Sequence, residues 1–159
     1  MEKIIITRSF NAPLEKVRNA WTNLDQLAAW RWPKTTKVVD PQLDFRVDGE
    51  FFYGMETPDG NKMYGKFVYK EIVPSKKIAF VSGLTDENWI LTIHPMMPKW
   101  PLLMNEVVFS EFEGKTTVIF MAWPINATEE ELEFFAQNQG PTQRGLNATF
   151  DHLEEYLTR

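Results

Sequence analysis

Bulky apolar side chains recur at every second position along neighbouring segments in the middle of this chain. Phe51, Tyr53 and Met55 share one parity, and in the next segment Phe67 and Tyr69 stand opposite a lysine-bearing set. Because successive side chains of a strand point to opposite sides of a sheet, this alternation predicts strands whose apolar face is turned inward. Turn sequences containing Gly, Pro and Asp separate the segments, as expected for an antiparallel sheet.

The patterned segments follow one another in a definite order. Residues 3–10 predict an opening strand, and residues 13–30 predict two short helices. Residues 35–83 contain four strand-like segments, and residues 104–123 contain two more, joined by a tight hairpin at Gly114. The chain therefore predicts an α+β fold with an antiparallel sheet of about seven strands.

A long helix is expected after the last strand. Thr128 and Glu131 form a capping-box sequence, which marks a helix start. We expect a break near Gly140-Pro141, because proline removes an amide donor and clashes with the preceding turn. Beyond it, apolar side chains fall on one helical stripe, made of Leu146, Phe150, Leu153 and Leu157. This amphipathic face is expected to pack on the sheet.

Composition narrows the class of protein. The 159 residues suit a single domain spanning residues 1–159, long enough to bury a core without metal or disulfide. The chain contains no cysteine, which excludes disulfides and thiol chemistry and fits a reducing compartment. A net charge of −5 without a basic cluster argues against nucleic acid as a partner.

No membrane span is expected from the sequence. A run of roughly eighteen apolar residues, the length that a membrane helix needs, occurs nowhere. The apolar run before Arg8 is far shorter than the core of a signal peptide. We therefore expect a cytoplasmic protein, and the sequence leaves open whether it is a monomer or a homodimer.

The segment from residue 85 to residue 101 lacks a regular pattern. It carries three prolines around Met96, Met97 and Trp100. Because proline interrupts both helices and sheet ladders, we interpret this 85–101 segment as a loop. Its apolar content suggests a lid across an opening.

The order of elements and several short motifs resemble one family over essentially the whole chain. The motifs include Asn11-Ala12-Pro13, Trp30-Arg31-Trp32-Pro33, Asp44-Phe45-Arg46-Val47-Asp48-Gly49, Thr57-Pro58-Asp59-Gly60, Trp100-Pro101-Leu102 and Leu153-Glu154-Glu155-Tyr156-Leu157. In this order they resemble the activator-of-heat-shock-protein-ATPase-like (AHSA-type) branch of the START/Bet-v-1-like (SRPBCC) superfamily. The resemblance implies a helix-grip fold, in which a curved antiparallel sheet wraps around the long C-terminal helix. It also implies an apolar cavity between them and no shared catalytic residues.

The chain departs from the family pattern at three places. Asp48 stands where the family usually has the first glycine of a Gly-Gly pair, Arg31 splits a usual Trp-Trp pair, and Leu146 replaces a common tryptophan. These positions concern turn shape and cavity lining, so the resemblance does not supply a ligand identity. Stimulation of a chaperone ATPase belongs to larger eukaryotic members with an additional N-terminal domain, and we do not expect it here.

A set of inward-facing residues is expected to line the cavity. They are Phe51, Tyr53, Phe67, Tyr69, Asn105, Phe109, Val118, Phe120, Leu146, Phe150 and Leu153. An ordinary core would use the same apolar residues, but a curved sheet and one helix leave interior space for side chains or a ligand to fill. Asn105 shares parity with Phe109. Its amide therefore either binds a polar group of a ligand inside the cavity, or Asn105 is simply a polar residue at the end of the strand. Trp21, Trp30, Trp32 and Trp100 either close the opening or pack the short helices.

No catalytic, metal or cofactor site is predicted. The two histidines, His94 and His152, have neither a partner motif for catalysis nor a zinc-ligand spacing. Asp44, Arg46 and Glu71 lie in strand-like sequence, where pairing with a neighbour or exposure to water avoids the free-energy cost of a buried charge.

Three functions remain open from the sequence. The leading hypothesis is a protein that binds a small hydrophobic molecule. The second is a cyclase- or hydratase-type enzyme using the same cavity, in which Tyr53, Tyr69 or Glu71 shuttles a proton. The third is a co-chaperone-like interaction module that uses exposed aromatic surface around Trp100 or Trp30.

Overall fold

The computed structural model describes residues 3–32, 34–93 and 97–158. In this part of the chain the strands are β1 (Ile4–Phe10), β2 (Lys37–Leu43), β3 (Glu50–Glu56), β4 (Lys62–Val73), β5 (Lys77–Thr85), β6 (Leu102–Phe112) and β7 (Lys115–Ile125). The helices are α1 (Leu14–Thr22), α2 (Leu24–Trp30), α3 (Glu129–Gln137) and α4 (Gln139–Leu157). The strands form one antiparallel sheet in the order β1-β7-β6-β5-β4-β3-β2, which confirms the predicted α+β class.

One face of the sheet is the wall of the core. Phe51 pairs in register with Phe67 across β3 and β4, and Phe109 pairs with Val118 across β6 and β7. All four side chains are at most 5% exposed. Since paired residues in neighbouring strands point to the same side, the alternation read from the sequence identifies the inner face.

The long helix packs on this inner face. Phe150, Leu153 and Leu157 of α4 are buried, and Leu146 packs at the edge of the same core. The ring of Phe150 lies 5.7 Å from that of Phe120 on β7, measured between centroids. The predicted apolar stripe is therefore confirmed. Among the described helices, none combines the length and apolar character that a membrane crossing requires.

The chain bends between α3 and α4. The capping box forms as predicted, with the Glu131 amide donating to Thr128 Oγ1 over 3.1 Å. The break comes at Asn138, near the expected position but not at the proline itself. The reason is that Pro141 lies in the first turn of α4, where its missing amide has no intrahelical partner to lose.

The described residues of the 85–101 segment pack against the outer face of the sheet and α3. Trp89 packs against Phe52 and Tyr64, with ring centroids 5.2 and 5.7 Å apart. Both partners have the opposite parity to Phe51, so they lie on the outer face of the sheet. Trp100 packs against α3. The described residues of this segment therefore cover the outer face and α3.

Candidate functional site

A cavity of about 230 Å³ lies between β3, β4, the end of α2 and α4. Its lining residues are Arg31, Trp32, Tyr53, Met55, Phe67, Thr142, Gly145, Leu146 and Thr149. Gly145 is exposed, whereas Phe67 and Thr149 are buried. The cavity therefore opens to solvent beside α4 and extends into the core. None of the described residues of the 85–101 segment lines this cavity, so they do not form a lid over it.

Aromatic rings form much of the cavity wall. The ring centroid of Tyr53 lies 5.2 Å from that of Trp32 and 5.5 Å from that of Phe67. Trp32 Nε1 donates to the Ala28 carbonyl over 3.1 Å, which fixes the orientation of the indole. Because each ring is packed on its neighbours, the wall is already formed before any ligand enters.

Arg31 brings a positive charge to the cavity. It caps the C-terminal end of α2, and its guanidinium carbon lies 5.4 Å from the ring centroid of Phe67. Its Nε atom is buried and has no hydrogen-bond partner. In residues 3–32, 34–93 and 97–158, no carboxylate forms an ion pair with it. Burial lowers the pKa of Arg31, an effect that Tyr53 and Tyr69 partly offset.

The two buried tyrosines stay neutral at physiological pH. Burial raises the pKa of both Tyr53 and Tyr69, and the nearby Arg31 guanidinium opposes the shift in each. An ordinary tyrosine already has a pKa of about 10. Tyr53 thus presents an uncharged hydroxyl beside the guanidinium.

Two threonines on α4 add hydroxyl groups. Thr142 Oγ1 donates to the Asn138 carbonyl over 2.7 Å, and Thr149 Oγ1 donates to the Gly145 carbonyl over 3.1 Å. Their protons are used within the helix, but each oxygen keeps lone pairs that can accept a hydrogen bond.

The structure divides the predicted lining residues into two groups. Those on the cavity wall are Tyr53, Phe67 and Leu146. Those buried in the surrounding core are Phe51, Tyr69, Phe109, Val118, Phe120, Phe150 and Leu153. The side chains of the second group support the wall from behind, and direct ligand contact by them stays a prediction.

Asn105 is buried on the inner face, where its parity placed it. Its amide nitrogen donates to Ser82 Oγ over 2.9 Å and approaches the carbonyls of Phe80 and Leu103 at 3.3 and 3.2 Å. These contacts tie β5 to β6. A role of Asn105 in ligand binding stays a prediction.

The remaining lining residues were absent from the predicted set, although the sequence carried a signal for some of them. Thr142 and Thr149 lie four residues before and three residues after the predicted Leu146, which places them on the same face of a helix. Arg31 stands out as a cation between two tryptophans. Met55 shares the inward parity of Tyr53.

His152 has a structural contact with the cavity wall. Its Nδ1 atom lies 2.8 Å from the Trp32 carbonyl. A carbonyl oxygen only accepts hydrogen bonds, so Nδ1 carries the proton and donates it. This bond ties the residues after α2 to α4. His94 lies outside the described residues.

The charged residues weighed from the sequence are paired on the surface. Glu71 is exposed and forms an ion pair with Lys77 over 2.7 Å. Asp44 pairs with Arg46 over 2.8 Å, and both are exposed. Glu71 is therefore not a proton carrier in the cavity.

A seven-stranded antiparallel sheet that packs around one long helix defines a helix-grip protein of the START/Bet-v-1-like superfamily. A family model described as Activator of Hsp90 ATPase homolog 1-like protein matches residues 11–158. The chain belongs to this family, as its motifs predicted. A comparison with curated proteins gave no match.

Solved structures share this fold over nearly the whole chain. A protein from Arthrobacter aurescens has a TM-score of 0.83 at 21% identity, with 98% of this chain and 86% of that chain covered. A protein from Staphylococcus epidermidis has a TM-score of 0.79 at 25% identity, with 98% and 89% covered. A Mycobacterium smegmatis protein has a TM-score of 0.78 at 22% identity, with 96% and 88% covered. These likenesses establish the fold alone.

Proposed function

We propose that the protein binds a small hydrophobic molecule in the cavity between the sheet and α4. The observation that carries this proposal is the aromatic wall of Trp32, Tyr53 and Phe67 around a space that opens beside Gly145. A concave apolar surface with few polar groups is the usual form of a small-molecule site. The volume of about 230 Å³ is slightly below the roughly 300–1,000 Å³ of typical pockets, which favours a ligand of one or two rings or a short chain.

Binding without turnover is favoured over catalysis. Acid–base chemistry needs a group that gains and loses a proton near neutral pH. No Asp, Glu or His is among the described lining residues. The raised pKa of Tyr53 keeps its proton in place. The enzyme hypothesis therefore lacks a proton carrier in this part of the chain.

The interaction-module hypothesis relied on Trp30 and Trp100, and neither side chain is fully exposed. Trp30 is fully buried, and its Nε1 donates to the Ala20 carbonyl over 2.8 Å. Trp100 is half-buried against the rings of Phe134 and Phe135. Trp30 is thus part of the core, and much of Trp100 is covered by α3, which leaves the cavity as the better-supported site.

The first test is native mass spectrometry of freshly purified protein against a denatured control. A co-purifying mass that disappears on denaturation is the expected result, and it supplies a molecule to identify. In parallel, titration calorimetry with neutral naphthalenemethanol and fluorescence titration with N-phenylnaphthylamine measure saturable binding to the empty protein.

A blocking variant connects this binding to the cavity. Leu146→Trp places a larger, aromatic side chain on the wall, at a position where the resembled family commonly has tryptophan. Leu132→Trp makes the same change on exposed α3, outside the cavity lining. We expect the wild type and Leu132→Trp to bind alike, and Leu146→Trp to bind at least ~10-fold more weakly. Absence of wild-type binding, or equal binding by both variants, would reject the proposed function.

A further inference from the structure

Arg31 and Arg8 are two arginines in contact with core rings, and their surroundings differ. Arg8 on β1 donates to Asp151 Oδ1 over 2.5 Å and to Asn147 Oδ1 over 3.2 Å. Its charge is therefore matched by groups on α4. Arg31 contacts the Phe67 ring but has no carboxylate partner in the described part of the chain, and its Nε atom is buried without an acceptor.

Arg31 is half-buried, and a guanidinium whose Nε atom is removed from water without an acceptor is energetically unfavourable. Removing a cation from water carries a large desolvation cost unless an anion or hydrogen-bond acceptors replace the lost water. The contact with Phe67 at 5.4 Å is within cation–π distance and offsets part of that cost. A guanidinium also has five N–H donors in a planar fork, and the aromatic ring satisfies none of them.

The surroundings of Arg31 indicate what kind of ligand group would pair with its guanidinium. Since Arg31 and Tyr53 line one cavity, a guanidinium fork and a neutral hydroxyl donor are both available to a single acceptor group. The planar fork matches the two oxygens of a carboxylate, with which arginine forms paired hydrogen bonds. The rest of the wall is apolar, so it suits an uncharged hydrocarbon body. One cation balances one negative charge.

We propose that Arg31 is the anchor for a carboxylate carried by the ligand, so that the protein takes a small apolar monocarboxylic acid in its anionic form. This inference rests on the proposed function, because it names the class of molecule that occupies the same cavity. The carboxylate pairs with the guanidinium and receives a hydrogen bond from Tyr53. The hydrocarbon body lies against Trp32, Phe67 and Leu146. The net charge of −5 repels anions at long range, so the preference originates in the cavity.

The test compares two probes of nearly equal shape, naphthoate and naphthalenemethanol, by titration calorimetry. The wild type is expected to bind naphthoate ~10-fold to ~100-fold more tightly than the alcohol, as charge-assisted hydrogen bonds imply. In Arg31→Met the preference should vanish while the alcohol still binds. In Arg31→Lys it should be reduced, because lysine keeps the charge but not the fork. Arg46→Met removes an exposed arginine already paired with Asp44 and should leave the preference unchanged.

The possible outcomes distinguish a failure of this inference from a failure of the proposed function. If neither probe binds the wild type, the proposed function is wrong. If both bind with equal affinity, the cavity binds small molecules and the carboxylate preference is overturned. If naphthoate is preferred equally in the wild type and in Arg31→Met, Arg31 is not the anchor. The wild-type comparison needs no variant, so it remains decisive even if Arg31→Met folds poorly.

Discussion

The phenol ring of Tyr53 lies across the backbone of Gly65 on the neighbouring strand. A Cβ atom built on Gly65 would be 2.6 Å from the Tyr53 hydroxyl oxygen and 2.8 Å from its Cζ atom. The two residues are directly paired in register between β3 and β4. An aromatic ring that covers a strand glycine in this way depends on the missing side chain. Gly65 therefore sets the position of one wall of the cavity.

Gly65→Ala should move the Tyr53 ring into the cavity. The rings of Phe51 and Phe67, at 5.2 and 5.5 Å, restrict movement in other directions. We expect a loss of unfolding free energy of about 1–3 kcal/mol, as is typical of overpacking, together with weaker binding of naphthalenemethanol. Denaturant unfolding and calorimetry measure the two effects. Unchanged affinity would show that Tyr53 does not shape the binding space.

Gly145→Ala is the matched glycine substitution, and here we expect the free energy of unfolding to rise and not to fall. A Cβ atom at Gly145 meets no atom within 4 Å. Alanine in a helix interior is more favourable than glycine, so the free energy of unfolding should rise by about 0.5–1 kcal/mol. Because one methyl group at the open side of the cavity leaves room for a ligand, affinity for naphthalenemethanol should be retained. A loss of affinity as large as in Gly65→Ala would mean that the entrance is narrower than its geometry indicates.

The inner face of the sheet could be read from the sequence because the period of a strand is two. Phe51, Tyr53, Phe67 and Phe109 all lie on the side that their parity predicted. A register shift by one residue would expose the whole set to water, so the pattern is strongly constrained. This physical constraint is local, and a single sequence expresses it.

Which inner-face residues fill the core and which line the open cavity could not be predicted from the sequence in the same way. Phe51 and Tyr53 have the same parity, yet only Tyr53 lines the cavity. The difference depends on where α4 and the residues after α2 meet the sheet, which strand alternation does not encode. Arg31 was visible as a departure from a Trp-Trp pair, but that no carboxylate of the described residues pairs with it is a property of the assembled fold.

The 85–101 segment and Asp48 show how the surrounding fold determines the role of a local sequence pattern. In the 85–101 segment, Trp89 packs on Phe52 and Tyr64 on the outer face of the sheet, and no described residue of the segment lines the cavity. Asp48 stands where the family usually has glycine, and its φ of 66° explains that preference. Aspartate is one of the few residues that adopt this left-handed backbone at modest cost.

The hydrogen bond from His152 to the Trp32 carbonyl should stabilise the cavity wall. In His152→Ala this carbonyl loses its partner, so we expect about 1 kcal/mol lower unfolding free energy and weaker binding of naphthalenemethanol. Lys34→Ala is the control, because Lys34 pairs with Glu155 where both side chains are exposed and such pairs contribute little. Equal effects of the two substitutions on affinity would assign His152 no special role at the wall.

Stability should fall at alkaline pH because of the buried tyrosines. Burial raises the pKa of Tyr53 and Tyr69 in the folded protein, whereas in the unfolded chain both titrate near pH ~10. Above that pH the unfolded chain loses protons that the folded protein keeps, so unfolding becomes more favourable as pH rises towards the folded pKa values. Each group contributes up to about 1.4 kcal/mol per pH unit.

Tyr53→Phe isolates the contribution of one tyrosine to this pH dependence. Above pH ~10 the free energy of unfolding of the variant should fall less steeply with pH than that of the wild type. The difference in slope should correspond to the release of about one proton. Denaturant midpoints measured across the alkaline range give both slopes. Parallel curves would show that Tyr53 titrates normally in the folded protein.

Arg31 and Arg8 should respond in opposite ways to replacement by methionine in the ligand-free protein. Arg8→Met removes the bonds to Asp151 and Asn147, and because Asp151 stays in contact with water we expect a loss of only about 1–2 kcal/mol. Arg31→Met removes a half-buried charge that has no carboxylate partner in the described part of the chain, so the free energy of unfolding should stay equal or rise by about 1 kcal/mol. Denaturant unfolding of protein refolded after removal of any co-purified molecule measures both values. If Arg31→Met were the more damaging substitution, Arg31 would be holding the fold together, and its unmatched charge would no longer indicate an anionic ligand.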